Sequence, residues 1–367
     1  MKASRVKRFG ILTSGGDCPG LNAAIRGVAK AASGRFGMEV VGISNGYRGL
    51  IDGDARALSQ DDFSGILTLG GTILGSSREK PFKKFDGSTS SDSEAGKNKP
   101  ELIMRNVEAL GLDALVVLGG NGTNTTAHLL AQEGLSVIGL PKTIDNDIWG
   151  TEVSFGFHSA VDIATESIDR LHSTASSHNR VMVIELMGHK TGWLALYAGV
   201  AGGGDVIIIP ELPYSVAKVA SGLERRRAEG KHFSIVVVAE GAMSAEEAAL
   251  PKKERKLRRE SMPYPSIGYR LAAEIEKATG MEARVTVLGY LQRGGTPSPY
   301  DRVLATAFGT AAAELLEQGR FGRMVAMRDG RIDTIPLADV ADRIQTVPTD
   351  HPLIGTARLV GTCFGNS

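Results

Sequence analysis

The feature that most constrains this chain is a regular alternation. Short apolar runs recur at Phe9–Thr13, Val40–Ile43, Ala114–Leu118, Ser136–Leu140, Val181–Leu186, Val206–Ile209, Ile235–Ala239, Val285–Leu288 and Met324–Met327, each four to six residues long and rich in Val, Ile or Leu. That length and near-continuity suit strands buried on both faces, as in a parallel sheet. Between them lie Asn22–Ala32, Thr125–Gln132, Ser159–Ser173, Val216–Ala228, Ile267–Thr279 and Ala305–Glu317, which have helix-forming composition and apolar positions three or four apart. Strand alternating with helix predicts an α/β fold with doubly wound, mostly parallel sheets. With 367 residues, two or three domains are expected.

In folds of this kind ligands bind beyond the carboxyl ends of the strands, so the residues after each run matter most. Several exits are glycine pairs: Gly15-Gly16, Gly70-Gly71, Gly119-Gly120 and Gly294-Gly295. Plain turn chemistry explains any one pair. Repeated after apolar runs, they predict tight strand-to-helix turns where backbone N–H groups meet phosphate. The exit GILTSGGDCPGLNAAIRG and the exit ALVVLGGNGTNTTAHLL both have this form. In the latter, Gly119-Gly120-Asn121-Gly122 makes a phosphate cradle and Thr123 opens a helix. Arg78, in GGTILGSSREKPF, can reach a phosphate with its guanidinium fork. No G-x-x-x-x-G-K-[ST] or G-x-G-x-x-G pattern accompanies them.

The exit SVIGLPKTIDNDIWGT places Lys142, Thr143, Asp145, Asn146 and Asp147 together. Two carboxylates at i and i+2 repel each other when buried, and a cation such as Mg²⁺, Lys142 or a nearby Arg relieves this. One of them can then serve as general base. The plainer reading is an Asx turn capping the next helix. Arg180, Glu240 and Arg284, at the ends of later runs, suit a phosphorylated sugar: guanidinium forks for the phosphate, a carboxylate for hydroxyls. His172, His178 and His189 do not have metal-ligand spacing and read as polar or capping residues.

Taken in order, TSGGDCPGLNAAIRG, GGTILGSSR, GGNGT, PKTIDND, DRLHSTASSH, ELMGHKTGW, AEGA and LGYLQRGGTPSPYDR resemble the phosphofructokinase family from about Phe9 to Asp301. The resemblance implies a two-lobed enzyme that moves a phosphoryl group onto the 1-hydroxyl of fructose 6-phosphate, a glycolytic step. A donor lobe would span residues 1–150 and a sugar-phosphate lobe 151–315, with 316–367 packing back on them. By match to the family's motifs, Asp145 would be the base, Asp147 would support charge and metal, and Thr143 would contact the sugar or the moving group. Arg180 and Arg284 would grip the 6-phosphate, reaching in from a neighbouring subunit of a homodimer or homotetramer. Met187, Gly188, His189, Glu240, Tyr290 and Arg293 would complete the sugar site. Gly16, Arg78, Gly120, Asn121, Gly122, Thr123 and Lys142 would form the donor site, with Mg²⁺ on Asn121 and Asp147.

The family contains users of ATP and users of pyrophosphate. Pyrophosphate users typically carry Asp where this chain has Gly122 and Lys where it has Lys142, so the two positions disagree. An aspartate excludes the nucleotide by bulk and charge, whereas a lysine only adds attraction, so ATP is expected and pyrophosphate is the alternative. Asn121 stands where an acid is usual, His189 where Arg is common and Tyr290 where His is common. A non-catalytic sensor and a kinase acting also on sedoheptulose 7-phosphate are the remaining readings. Arg26 and Lys30 match an effector segment, but His172 replaces an effector Arg, so effector control should be weak or absent.

Charge and composition exclude other classes. The net charge of +1 supplies no field for nucleic acid or a membrane surface. Cys18 and Cys363 are the only two cysteines, no disulfide framework, and no apolar run approaches the length of a membrane span. A cytoplasmic enzyme acting on small molecules is expected. Gly87–Pro100 reads as a polar surface loop, and Ser244–Pro263, with PKKERKLRRE, as a solvated helix or loop or as a contact for an anion or subunit.

Overall fold

The computed structural model describes residues 6–82 and 98–366. Its chain divides into two compact units. The first comprises residues up to Ile144, Ile148–Ser159 and Arg293–Ile344, and the second Asp145–Asp147, Ala160–Gln292 and Gln345–Ser367.

The strands are β1 (Arg8–Ser14), β2 (Glu39–Ile43), β3 (Ala55–Leu58), β4 (Ala114–Gly119), β5 (Val137–Pro141), β6 (Val181–Leu186), β7 (Val206–Ile208), β8 (Ser234–Ala239), β9 (Ala283–Val287), β10 (Arg323–Arg328) and β11 (Arg331–Pro336). The first unit holds a seven-stranded sheet in the order β11-β10-β5-β4-β1-β2-β3. Its middle five strands pair in parallel, while β3 and β11 run antiparallel at the two edges. The second unit holds a four-stranded parallel sheet in the order β7-β8-β6-β9. Every residue of β4, β5, β6 and β8 is buried, as expected of strands covered by helices on both faces.

Each unit has its own core. Leu12, Val41, Leu115, Val117, Val137 and Met324 anchor the first, and Val183, Ile208, Val236, Val238, Leu271 and Ile275 the second. Between the helices Leu21–Phe36 and Pro299–Gln318, close packing depends on glycine: a Cβ on Gly309 would sit 2.7 Å from both Ala24 O and Val28 N.

The chain divides elsewhere than at 150 and 315. Helix Pro299–Gln318 lies along helix Leu21–Phe36 and returns the chain to the first sheet, where β10 joins β5 at Arg323 and Met324. The last segment belongs to the second unit, where Cys363 pairs with Val206 at the edge of β7. Strands β3 and β11 had no apolar run to betray them, because most of their side chains face solvent. Of the expected loop Gly87–Pro100, residues 87–97 lie outside the described residues, and Lys99 and Pro100 open helix Lys99–Ala109. Among the described residues, no helix is long and apolar enough to cross a membrane.

Candidate active site

In the first unit, three strand exits meet. After β1 the backbone turns through Gly15 at φ 87°. The Gly15 N–H donates to the Ser77 carbonyl (2.8 Å), and the Ser76 hydroxyl donates to the Gly15 carbonyl (2.6 Å). This places exposed Arg78 at the end of a segment strapped to the β1 turn. From the β4 exit, the Thr123 hydroxyl donates to the Ser14 carbonyl (3.3 Å). Gly120 caps helix Asn121–Gln132, and the Asn124 amide covers the Gly119 and Gly120 carbonyls (2.9 and 3.1 Å). The helix N-terminus, whose first N–H groups point out of the helix end, therefore begins at the expected cradle. A Cβ on Gly122 would meet nothing within 4 Å, so open space lies over the first helical turn.

Lys142 and Arg293 also converge on the β1 turn. Lys142 Nζ donates to the Gly16 carbonyl, although Lys142 is almost fully buried. Arg293 Nη1 donates to the Asp17 carbonyl (3.1 Å), and its guanidinium fills the space a Cβ on Gly16 would need. Arg293 was expected among the sugar contacts; here it packs on the loop of the donor set. Thr143 is buried, and its carbonyl accepts from the Ser154 hydroxyl (2.9 Å). Behind this loop, Asp301 is fully buried and accepts from the Ser159 N–H and hydroxyl (2.7 and 2.6 Å). Burial pushes the Asp301 carboxyl up, against the pull of those Ser159 bonds.

Asp145, Asn146 and Asp147 belong to the second unit. Asn146 takes a left-handed conformation (φ 51°), which bends the turn between the two nearly buried aspartates. The β6 exit supplies Met187, Gly188 and His189. Gly188 has φ 142°, and a Cβ there would come within 2.6 Å of Thr191 O. His189 is itself left-handed (φ 53°), a strained state for a residue with a side chain, and its N–H donates to Glu240 Oε1 (2.7 Å). That bond joins the β6 exit to the β8 exit. Burial pushes the Glu240 carboxyl above its ordinary range; the His189 N–H opposes this, and the Asp145 and Glu185 charges add to it.

A cavity of about 440 Å³ opens beside these groups, lined by Glu185, His189, Glu240, Arg259, Tyr264 and neighbouring residues. The basic run forms helix Lys252–Glu260, in which no residue is buried. Two of its arginines hold it down. Arg255 donates to the Met243 sulfur (3.1 Å), and Arg259 to the carbonyls of Gly241 (3.3 Å) and Ala242. Sequence reasoning missed Arg259, because nothing in a run of six basic residues singles one out.

Arg180 and Arg284 lie at the other end of the sheet. Arg180 precedes β6 and Arg284 is second in β9, and both bind Glu282: Arg180 Nε at 2.8 Å, Arg284 through Nη2. Across the six residues of β6, that end is about 20 Å from the His189 end, at about 3.3 Å per residue. Tyr290 is 74% exposed and directed to solvent. His172 places Nε2 2.7 Å from the Gly202 carbonyl, away from the groups above.

Sequence spacing had separated His189 from any metal set. In the folded chain, ligand atoms of Asp145, Asp147 and His189 all lie within 4.8 Å of one another. Asn121, expected with Asp147 as a metal ligand, is the first residue of its helix in the first unit.

Residues 8–316 match the profile of the family described as Phosphofructokinase. An "ATP-dependent 6-phosphofructokinase" of Spirochaeta thermophila is 69% identical over 366 residues, covering 100% of both chains. An "ATP-dependent 6-phosphofructokinase 3" of Bacteroides thetaiotaomicron is 52% identical, covering 98% of this chain and 100% of its own. Among solved structures, phosphofructokinase from Saccharomyces cerevisiae superposes with a TM-score of 0.78 at 31% identity, over 91% of this chain and 45% of that one. The paired acidic turn, the glycine-lined strand exits and end-to-end likeness to the two bacterial relatives lead to one conclusion: the chain belongs to the phosphofructokinase family.

Proposed function

We propose that this protein is an ATP-dependent 6-phosphofructokinase, transferring a phosphoryl group to the 1-hydroxyl of fructose 6-phosphate. The observation that carries this reading is 69% identity, over the whole chain, to a relative bearing that name. The first unit holds the donor on Gly16, Arg78, Gly120, Asn121, Gly122, Thr123 and Lys142. The second holds the sugar phosphate on Met187, Gly188, His189 and Glu240, with Tyr290 as a further contact. Asp145 takes the proton from the 1-hydroxyl, Asp147 balances charge, and Thr143 contacts the moving group. Such transfer depends on positioning and charge neutralisation more than on covalent chemistry. The base contributes about 10²–10⁴-fold.

The hard oxygens of Asp147 suit Mg²⁺, which would neutralise the donor's phosphate charge when bound. Asp147 is only 4% exposed and packs beside a second carboxylate, a setting that favours a cation. Arg180 and Arg284 cannot serve the His189 end of their own sheet, about 20 Å away. They therefore grip the 6-phosphate in a second copy, which makes the working enzyme a homodimer or homotetramer. Two free thiols and small-molecule substrates fit the cytoplasm.

Pyrophosphate as donor is favoured by one observation, the Lys142 ammonium fixed on the Gly16 carbonyl. Open space over Gly122 favours ATP, whose further phosphate and nucleoside need that room. The test is a coupled assay for fructose 1,6-bisphosphate with Mg²⁺, run in parallel with ATP and with pyrophosphate. Asp145→Asn is the control. Turnover with ATP alone is expected; turnover with pyrophosphate alone would make Lys142 the determinant of the donor.

A further inference from the structure

Phosphoryl transfer from an Mg²⁺–nucleotide needs oxygen ligands and carboxylates, yet the acidic turn of the second unit faces an imidazole. Ligand atoms of Asp145, Asp147 and His189 lie within 4.8 Å of one another. Ligands about 2.1 Å from a shared ion stand about 3–4.2 Å apart. Small side-chain rotations close that gap, because the backbones are already tied together. Fully buried Thr191 has its hydroxyl 3.2 Å from both the Asp145 carbonyl and the Gly188 carbonyl, linking the acidic turn to the histidine turn. On its other side, the His189 backbone is held by its N–H bond to Glu240. The three donors thus come from two turns with fixed relative positions.

The carboxylates attract any divalent cation; the imidazole selects among them. Mg²⁺ prefers oxygen and gives up water reluctantly. Mn²⁺, Co²⁺ and Zn²⁺ accept imidazole readily, with affinity rising towards Zn²⁺. We propose that Asp145, Asp147 and His189 form a site for one borderline divalent transition ion, Zn²⁺ most tightly, and that occupancy blocks the Asp145 carboxylate and stops turnover. Binding exchanges waters of the aquo-ion for two carboxylates and a neutral imidazole, with no redox change. The site itself stands apart from the proposed function; its inhibitory effect rests on the role given to Asp145 there.

Calorimetric titration of Zn²⁺ into the nucleotide-free full chain, in excess Mg²⁺, reads the site without activity. One ion per chain is expected, with affinity falling by more than about tenfold in His189→Gln and in Asp147→Asn, at least the loss seen when a ligand's own support is removed. Melting curves check that both variants are folded. Pulsed electron paramagnetic resonance of bound Mn²⁺ should show nitrogen modulation from an imidazole that disappears in His189→Gln. Absence of stoichiometric binding, or unchanged Zn²⁺ affinity in both variants, overturns the site. Zn²⁺ bound through His189 without loss of turnover would overturn the inhibition and the assignment of Asp145 as base, while leaving the ATP assay able to stand.

Discussion

Arg270 and Glu247 form the most deeply buried ion pair among those described, with side chains 7% and 1% exposed. Both guanidinium Nη atoms reach the carboxylate at 2.7 Å, and Nη2 also donates to the Tyr214 hydroxyl (2.9 Å). Glu247 closes a capping box with Ser244, just after the loop that carries Glu240. Arg270→Met leaves that carboxylate buried without its cation, a change that costs about 3–5 kcal/mol. The lower end applies, because the Ser244 N–H still donates to Glu247 (2.9 Å). A loss of about 3 kcal/mol corresponds to a fall in Tm of roughly 6–12 °C for a domain of this size. In the double variant Glu247→Leu/Arg270→Met neither charge is stranded, so it should be more stable than Arg270→Met, with a coupling of about 2 kcal/mol or more. Urea midpoints and thermal melts of the four proteins complete the cycle. Strict additivity of the single losses would refute the reasoning. Acid adds a second signature. Burial alone would raise the Glu247 carboxyl, but the Arg270 and Ser244 bonds outweigh it and hold it below its ordinary 4.5. A depressed carboxylate contributes stability above its unfolded value, and that stability is lost as pH falls through the folded one. Below about pH 4.5 the wild type should therefore lose stability more steeply than the double variant.

Three further outcomes follow from single contacts. Gly309→Ala should separate helices Leu21–Phe36 and Pro299–Gln318 and cost about 1–3 kcal/mol; a wild-type melting curve would contradict the close approach. Gly241→Ala places a methyl group on the His189 carbonyl oxygen and should break the Glu240–His189 bond. Loss of one such charged bond raises KM for the sugar phosphate by about 10–150-fold, and steady-state kinetics with unchanged KM would refute it. Burial pushes the Cys18 thiol up to about 12, so iodoacetamide at mildly alkaline pH should label Cys363 and spare Cys18 in the folded protein. Peptide mapping reads this directly, and prompt labelling of Cys18 would show its loop to be open.

Much of the fold was legible because burial on both faces leaves a mark in composition. Strand β4 reads as an unbroken apolar run, β6 as a run interrupted only by Glu185 and β8 as one opened by Ser234, and each is followed by glycines or polar residues of the candidate site. Family motifs supplied the expected roles of Asp145, Glu240 and the glycine-lined loops, since such motifs are local turns written in adjacent residues. The helix starting at Pro299 was read as starting later, because its first turn is marked by a Ser298 cap and a proline rather than by apolar periodicity.

By itself, the sequence determined the α/β class, the main strands and helices, the glycine-rich and acidic strand exits and the family, all of which rest on short-range patterns. Tertiary structure decided what depends on contacts between distant segments. It returned helix Pro299–Gln318 and strands β10 and β11 to the first sheet, and assigned Asp145–Asp147 to the second unit rather than to the loop's own. It set Arg293 on the β1 turn and Arg259 on the loop after Glu240, and brought His189 beside the two aspartates. The physical reason is common to all of these: a side chain's partners are set by which backbones pack together, and packing partners far apart along the chain leave no periodicity to read.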